Sequence, residues 1–412
     1  MHYVTTALVL LLAVGSARAE GLRGGLTVPP DDQLVNIAPA ISTELLDWNH
    51  DPNGTSVKLL RGRLNDVLKP GRAYLHGRFQ YGHAEEWTNE AGKFPYLGRF
   101  PFQHGPDEQG SQDIVFRGQL AGTVTMPGIT LFGEAFYSDT LYREDDRWDV
   151  RRASVTLGDL SVAPVYLKGG LDFVDFGHMG AYGPFLQSMN WHYFATQVEA
   201  PHVSVGYVGN GVEAAATYIP GGRHVRVAAS DDDDPNFALD ASYRRELRPG
   251  IEVEVGAGYL HDTIYDTRIP HHLRALRDMQ ETVRNGAANV RAEVGVGDFD
   301  LMGEYTTTLE DWPATGVPVT ALTLQGRWRG SIHDMPLTLS AAYGLGRQGR
   351  SGDEWEEMEQ YVLGAELQLN PYAKLQAEYV YNTGFAPLIA ITRVSDQSVK
   401  AHTVTLGGTV GF

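Results

Sequence analysis

The chain has 412 residues, a formal net charge of −18 and no cysteine. Without thiols it has no disulfide framework, thiolate zinc centre or cysteine nucleophile, a composition suited to export through an oxidising compartment, and the acidic balance argues against nucleic acid as a partner. Hydrophobic residues make up 42% and mean hydropathy is −0.25, values shared by water-soluble chains and by chains that cross a membrane as strands, where only alternate residues meet lipid.

Residues 4–14 form a short apolar run, followed by Ala17-Arg18-Ala19, a small-x-small site. This predicts a secretory signal peptide over 1–19, too short to anchor in a bilayer, although its leading residues carry only His2 and no Lys or Arg. Residues 20–33 are then a short segment ahead of the first strand.

From residue 34 onward, segments with a period of two recur. Residues 34–48 and 399–412 read as single first and last strands. Between them lie the hairpins 55–66/72–82, 112–124/129–141, 146–158/164–176, 200–208/210–220, 235–247/250–262, 287–297/299–309, 319–330/335–347 and 357–369/372–384. Each turns through a few residues, such as Pro127-Gly128 or Asn210-Gly211. In 112–124, Ile114, Phe116, Leu120 and Val124 share one face and Arg117, Gln119 and Thr123 the other. The last strand sets Val404, Leu406, Val410 and Phe412 against Thr403, Thr405 and Thr409, and runs out to Phe412.

This pattern predicts an all-β fold: a transmembrane antiparallel barrel over 34–412 with about 18 strands, or 16 if the pair 34–48 and 55–66 is misread. All short turns fall on one side, expected to be periplasmic. The long connections 83–111, 177–199, 221–234, 263–286, 310–318, 348–356 and 385–398 fall on the other. A soluble sandwich or propeller needs an apolar core on one face of its strands, and here that face carries too much charge.

With the apolar face turned to lipid, the other face projects Arg117, Glu134, Arg152, Lys168, Asp172, Asp240, Arg244, Glu252, Glu254, Arg291, Glu293, Glu304, Arg327, Arg329, Glu366, Lys374 and Glu378 into the lumen. A lipid-facing Arg or Lys costs about 2–4 kcal/mol at the bilayer midplane, which confines such charges inside. Each is either a wall salt bridge or part of a selectivity lining. Loop 177–199 is Gly-rich and aromatic with almost no charge, unlike an external loop left in water. It is expected to fold inward and narrow the pore, with Tyr182, Phe185, Trp191, His192, Tyr193, Phe194 and His178 as constriction or solute-contact residues; the alternative is an interfacial aromatic girdle.

The run Asp231 to Asp234 lacks the spacing of a calcium loop. His271 and His272 are adjacent and cannot share a helix face. Glu354, Glu356 and Glu357 form another acidic loop. No metal site, cofactor or enzyme is expected: the chain has no nucleophile elbow, phosphate loop or His-Glu-x-x-His.

With its strands so placed, the chain resembles the Gram-negative outer-membrane porins over 34–412. Segment 164–194, with Phe173-Val174-Asp175-Phe176-Gly177 and Pro184-Phe185, is reminiscent of LbtU-like siderophore porins and, more distantly, of phosphate- and carbohydrate-selective porins. The resemblance implies an outer-membrane location among lipid and lipopolysaccharide, Phe412 as a signal read by the barrel-assembly machinery, and a homo-oligomer. It also implies passive or semi-selective diffusion of small solutes (siderophore, sugar or anion). Segment 20–33 is too short for the plug domain of energised receptors. The alternative is a closed receptor barrel acting through its external loops.

Overall fold

The computed structural model describes residues 35–47, 49–89, 109–139, 148–196, 201–220, 235–265, 284–313, 315–352, 357–384 and 400–412. The expected signal peptide, residues 20–33, the Asp231–Asp234 run, His271, His272, Glu354 and Glu356 lie outside them.

The described chain opens with a short strand β1 (Val35–Ile37) and two helices, α1 (Pro39–Leu46) and α2 (Thr55–Leu64). The barrel strands follow: β2 (Arg72–Thr88), β3 (Gln109–Met126), β4 (Ile129–Tyr137), β5 (Trp148–Gly158), β6 (Val165–Leu171), β7 (His202–Gly209), β8 (Val212–Ile219) and β9 (Asn236–Arg248). They continue with β10 (Ile251–Leu260), β11 (Ala287–Val296), β12 (Phe299–Thr308), β13 (Thr320–Ile332), β14 (Met335–Arg347), β15 (Glu357–Asn370), β16 (Ala373–Thr383) and β17 (Lys400–Gly411). A third helix, α3 (Met189–Phe194), lies in the β6–β7 connection. Each strand from β2 onward pairs antiparallel with the next, and β17 closes on β2 from Ala401↔Thr88 to Gly411↔Arg78. The barrel therefore has sixteen strands.

Residues 34–48 and 55–66, expected as strands, are mostly helical. Pro39 sits in the first turn of α1, where its missing N–H costs nothing. Ile41 and Leu45 in α1, and Val57 and Leu60 in α2, are buried at helical spacings of four and three. What remains extended is β1, which runs parallel to β2 (Val35↔Ala73 to Ile37↔Leu75). It continues the seam below the end of β17. There Phe412 and Gly77 exchange both backbone hydrogen bonds, at 2.9 and 3.0 Å.

The outer face carries an exposed apolar band, including Leu120, Val155, Val205, Leu239, Val290, Leu301, Leu324, Leu363 and Leu406. The alternate residues Thr123, Thr156, Ser204, Thr217, Thr306, Thr323 and Thr403 point inward and are buried. An apolar surface this extensive is stable against lipid rather than water. Near the long-connection edge, Tyr343, Tyr361, Tyr381, His402 and Trp87 are direct cross-strand partners on five neighbouring strands. Their rings form a row of the kind that marks a membrane interface; Tyr343 and Tyr361, for example, lie 5.1 Å apart.

Ile114 and Phe116 do not share the lipid face with Leu120. A bulge opposite Gln80 and Tyr81 leaves Phe116 without a cross-strand partner and reverses the alternation. Ile114 and Phe116 are therefore buried in the lumen, where Phe116 packs on Phe185 with ring centroids 4.7 Å apart.

Candidate functional site: the barrel lumen

Two inserts occupy the interior, the N-terminal segment through α1 and α2, and the β6–β7 connection, residues 172–196. The connection runs along the inner wall and is pinned by acidic and amide side chains of β9, β12, β13 and β16. Gly177 N–H donates to Asp240 at 2.8 Å, and His178 N–H and Met179 N–H donate to Glu304 at 2.7 and 3.0 Å. Tyr182 N–H donates to Gln325 at 2.8 Å, and Phe185 N–H and Leu186 N–H to Glu378 at 3.0 Å each. Bonds from backbone N–H to a carboxylate are the strong, charge-assisted kind. Ser188 caps α3 by accepting from Trp191 N–H, and Asn190 bonds Thr306 and Thr323 on the wall.

The N-terminal insert fills the β2–β8 side. Wall side chains satisfy the carbonyls left open at the end of α1: Arg152 donates to Leu45 O at 2.6 Å, Arg78 to Leu46 O at 2.9 Å and Gln119 to Leu46 O at 3.0 Å. Ile41, Leu45, Leu46 and Leu59 pack on Tyr74, Ala121 and Phe132, and Val57 and Leu60 on Tyr166. An inward-facing Phe132 and Tyr166 are out of place in a water-filled barrel unless an apolar occupant covers them.

The two inserts interlock. Asn49 donates to Gly183 O at 2.8 Å and Leu186 O at 3.1 Å, and accepts from Arg117 at 2.8 Å. Ala181 N–H donates to Asn49 O at 2.7 Å, and Asn53 donates to Gly177 O at 2.8 Å. At Gly180 the contact is so close that a Cβ would stand 1.9 Å from His50 O, so only glycine fits there.

The sequence-selected charges separate into two groups. Arg117, Glu134, Arg152, Lys168, Asp172, Glu304 and Glu378 are buried under the inserts. Glu134 pairs with Arg152, and Lys168 lies 3.3 Å from Asp172. Asp240 and Arg291 form a nearly buried pair at 2.6 Å. Of the remainder, Arg244, Glu252 and Arg329 are about half exposed, Glu254, Glu293 and Arg327 are partly exposed, and Glu366 and Lys374 are nearly buried. Arg244, with a side chain 52% exposed, lies 3.4 Å from Glu252 and 2.5 Å from Glu254. Asp300 receives Arg327 at 2.5 Å and Arg329 at 2.9 Å, and Arg329 is 51% exposed. Arg327 also stacks 4.2 Å from the ring centre of Tyr182, whose hydroxyl donates to Glu293 at 2.8 Å. Across β15 and β16, Lys374 lies 2.6 Å from Glu366 and 3.5 Å from Asp47, and His50 lies 3.0 Å from Asp47 and 3.5 Å from Glu366.

Burial alone would raise Asp47 and lower His50. Arg78, His50 and Lys374 outweigh it and hold Asp47 well below the usual carboxylate range, while Asp47 and then Glu366 lift His50 to about 9.

Tyr182, Phe185, Trp191, His192, Tyr193 and Phe194, expected as constriction or solute-contact residues, are all buried. Their rings meet protein: Trp191 meets Phe173 edge-on at 5.4 Å, and Phe194 meets Tyr265 at 5.5 Å. Phe185, Trp191, Tyr193 and Phe194 belong to one apolar cluster that also takes in Ala84, Ile114, Leu260, Ala321, Met358, Val362 and Val380 from the surrounding wall.

Asp47, Asn49, His50 and Asn53 escaped the sequence reading because Asp47 falls in an expected strand, 34–48, and the other three in the stretch between it and the next, 55–66. The signal was present in Pro39 and the helical spacing after it. Arg151, stacked 4.5 Å from the ring of Phe136, is brought inward beside Arg152 by a bulge that sequence does not mark. Among the described residues no group of three or more His, Asp or Glu is placed to hold a metal ion.

A closed sixteen-strand barrel with a lipid band outside and a charged interior defines an outer-membrane diffusion channel. Residues 145–384 match the profile of the Gram-negative porins, and the chain belongs to that family. No curated protein sequence matches it. Among solved structures it is similar to an anion-selective porin from Comamonas acidovorans, at 12% identity and TM-score 0.54 over 82% of this chain and 99% of the other. It is also similar to OprB of Pseudomonas putida, at 10% identity and TM-score 0.56 over 82% and 94%. Salmonella typhi OmpF matches at 13% identity and TM-score 0.55 over 82% and 97%. At such identities the likeness is one of fold.

Proposed function

We propose that the protein passes small polar solutes semi-selectively along the β9–β16 side of the lumen, with residues 172–196 as its constriction. The carrying observation is that Arg244, Glu252 and Arg329, near the short turns of that side, stay about half exposed, while the β2–β8 side is occupied. The lining carries both signs: Arg244, Arg327 and Arg329 stand among Glu252, Glu254 and Glu293. Near-balanced charge favours solutes carrying both signs, or neutral polar ones, over strict sieving by sign. The apolar cluster at the level of the loop favours a low resting conductance.

The test is single-channel recording in a planar bilayer with the folded protein, under a salt gradient. Small discrete steps with a reversal potential near zero support the reading. Permanent silence of the inserted barrel would overturn it in favour of a receptor that acts through its loops.

A further inference from the structure

We propose that residues 39–64, the insert containing α1 and α2, are a seated gate that swings toward the periplasm to widen the passage; this rests on the channel reading above.

The insert is tethered at both ends to the same rim. β1 holds its start against Ala73–Leu75, and its end leads into β2 at Arg72. A segment hinged in this way can leave the lumen without unthreading any barrel strand, because β17 closes on β2 without it. At the end that leads into β2, Leu64 and, just beyond the insert, Val67 are already exposed.

Its grip on the wall has two parts. One is polar: Arg78, Gln119 and Arg152 on the carbonyls of Leu45 and Leu46, Ser56 Oγ 2.9 Å from Thr156 Oγ1, Arg63 on Gly158 O at 3.0 Å, and an Arg61–Glu213 pair. Water takes over each partner once the insert leaves, so the net cost per bond is well below its strength in isolation, although the bonds to Arg78 and Arg152 and the Arg78–Asp47 ion pair cost more than the neutral ones. The other is the apolar seat formed by Tyr74, Ala121, Phe132 and Tyr166. This seat favours the closed state, because emptying it wets apolar surface. Strong seating with exchangeable polar contacts describes an element with two positions rather than a fixed filler.

The insert also controls the constriction. Asn49 and Asn53 bond the carbonyls of Gly177, Gly183 and Leu186. Withdrawal therefore removes the inner support of the loop together with the occupant of the β2–β8 side.

The natural absence of cysteine makes the test clean. Ser56→Cys and Thr156→Cys together allow α2 to be fastened to β5, by oxidation or by a short bis-maleimide, with attachment verified by mass spectrometry. The expected result is that the fastened protein loses its larger openings, and that reduction of the oxidised form restores them. The double variant Asn49→Ala/Asn53→Ala, whose fold is checked by heat-modifiable gel mobility, should show at least a several-fold higher open fraction. Fastened protein that opens as often as the natural chain overturns the gate. Silence of natural, fastened and Asn-substituted proteins alike, all inserted and folded, overturns the channel reading beneath it.

Discussion

The side-chain amide of Asn49 donates to the carbonyl of Gly183 at 2.8 Å and ties the N-terminal insert to the loop that lines the opposite wall. Two parts of the chain far apart in sequence thereby share one buried polar node, which Arg117 completes from β3. Such nodes stiffen a structure when every member is satisfied and weaken it sharply when one is removed.

Asn49→Ala should therefore loosen the loop more than the barrel. It leaves Gly183 O, Leu186 O and one Arg117 N–H short of a partner, at a local cost of about 1–3 kcal/mol per buried group. The strand ladder is untouched. Limited proteolysis should cut within 172–196 faster, and open-channel current noise should rise, while the thermal midpoint of the barrel stays within a few degrees. An unchanged loop with a destabilised barrel would contradict this.

Reversing a lumen charge should have opposite consequences in the two groups of residues. Arg329 is half exposed and paired with Asp300. Arg329→Glu should fold and raise cation preference by a factor of about 2–10, the effect of one reversed charge in a partly screened site. Arg152 is buried between Glu134, Thr55 and Leu45 O. Arg152→Glu would place two buried carboxylates together and remove the cap of α1, a loss on the order of 3–5 kcal/mol. Reversal potentials and refolding yields separate the two. Equal behaviour of both variants would sink the division of the lumen.

The alternation of strands was legible because lipid and lumen impose opposite chemistry on neighbouring residues, as Thr403 to Leu406 show. The interior occupants were legible only in part. The apolar loop at 177–199 advertises burial, and Glu304 and Glu378 were visible as inward charges, but sequence does not say that they receive backbone N–H groups rather than line water. Residues 39–64 mislead a reading at period two because the barrel pattern invites another pair of strands, whereas Pro39 and the Ile41–Leu45 spacing favour helix. Phe116 and Arg151 mark the other limit. A single bulge residue reverses which face the rest of a strand presents, and nothing in their side chains announces it.

At the seam, a Cβ on Gly77 would stand 2.4 Å from the ring of Phe412. Gly77→Val should displace that ring and strain the Gly77–Phe412 backbone pair. Closure of β17 on β2 should become less stable, by roughly 1–3 kcal/mol as for overpacking elsewhere. The heat-modifiable gel shift should occur at a lower temperature, and Phe412→Ala in the Gly77→Val background should recover part of the loss. If Gly77→Val shifts like the natural protein, the ring is not held at the seam.

The charge on His50 sets a pH window for the seating of the N-terminal insert. Burial opposes that charge, but Asp47 on its own segment and Glu366 on β15 overcome it. Lys374 on β16 faces both carboxylates, and Arg78 on β2 faces Asp47. Asp51 and Lys58 pair nearby on the insert, and the backbone of Gly180 covers His50 from the loop side. Because the seated value of about 9 lies above the ordinary value near 6.5, protonation stabilises the seated form. That contribution is complete below about pH 6.5 and is lost as pH rises through about 9. Asp47, held low, stays ionised throughout this window. The open fraction in bilayer recordings should therefore rise between pH 7 and 9.5. His50→Asn, which cannot carry the charge, should open more at pH 6.5 and lose most of the pH dependence. An open fraction that falls with pH, or a His50→Asn profile that retains the slope, would remove His50 from the seating of the insert.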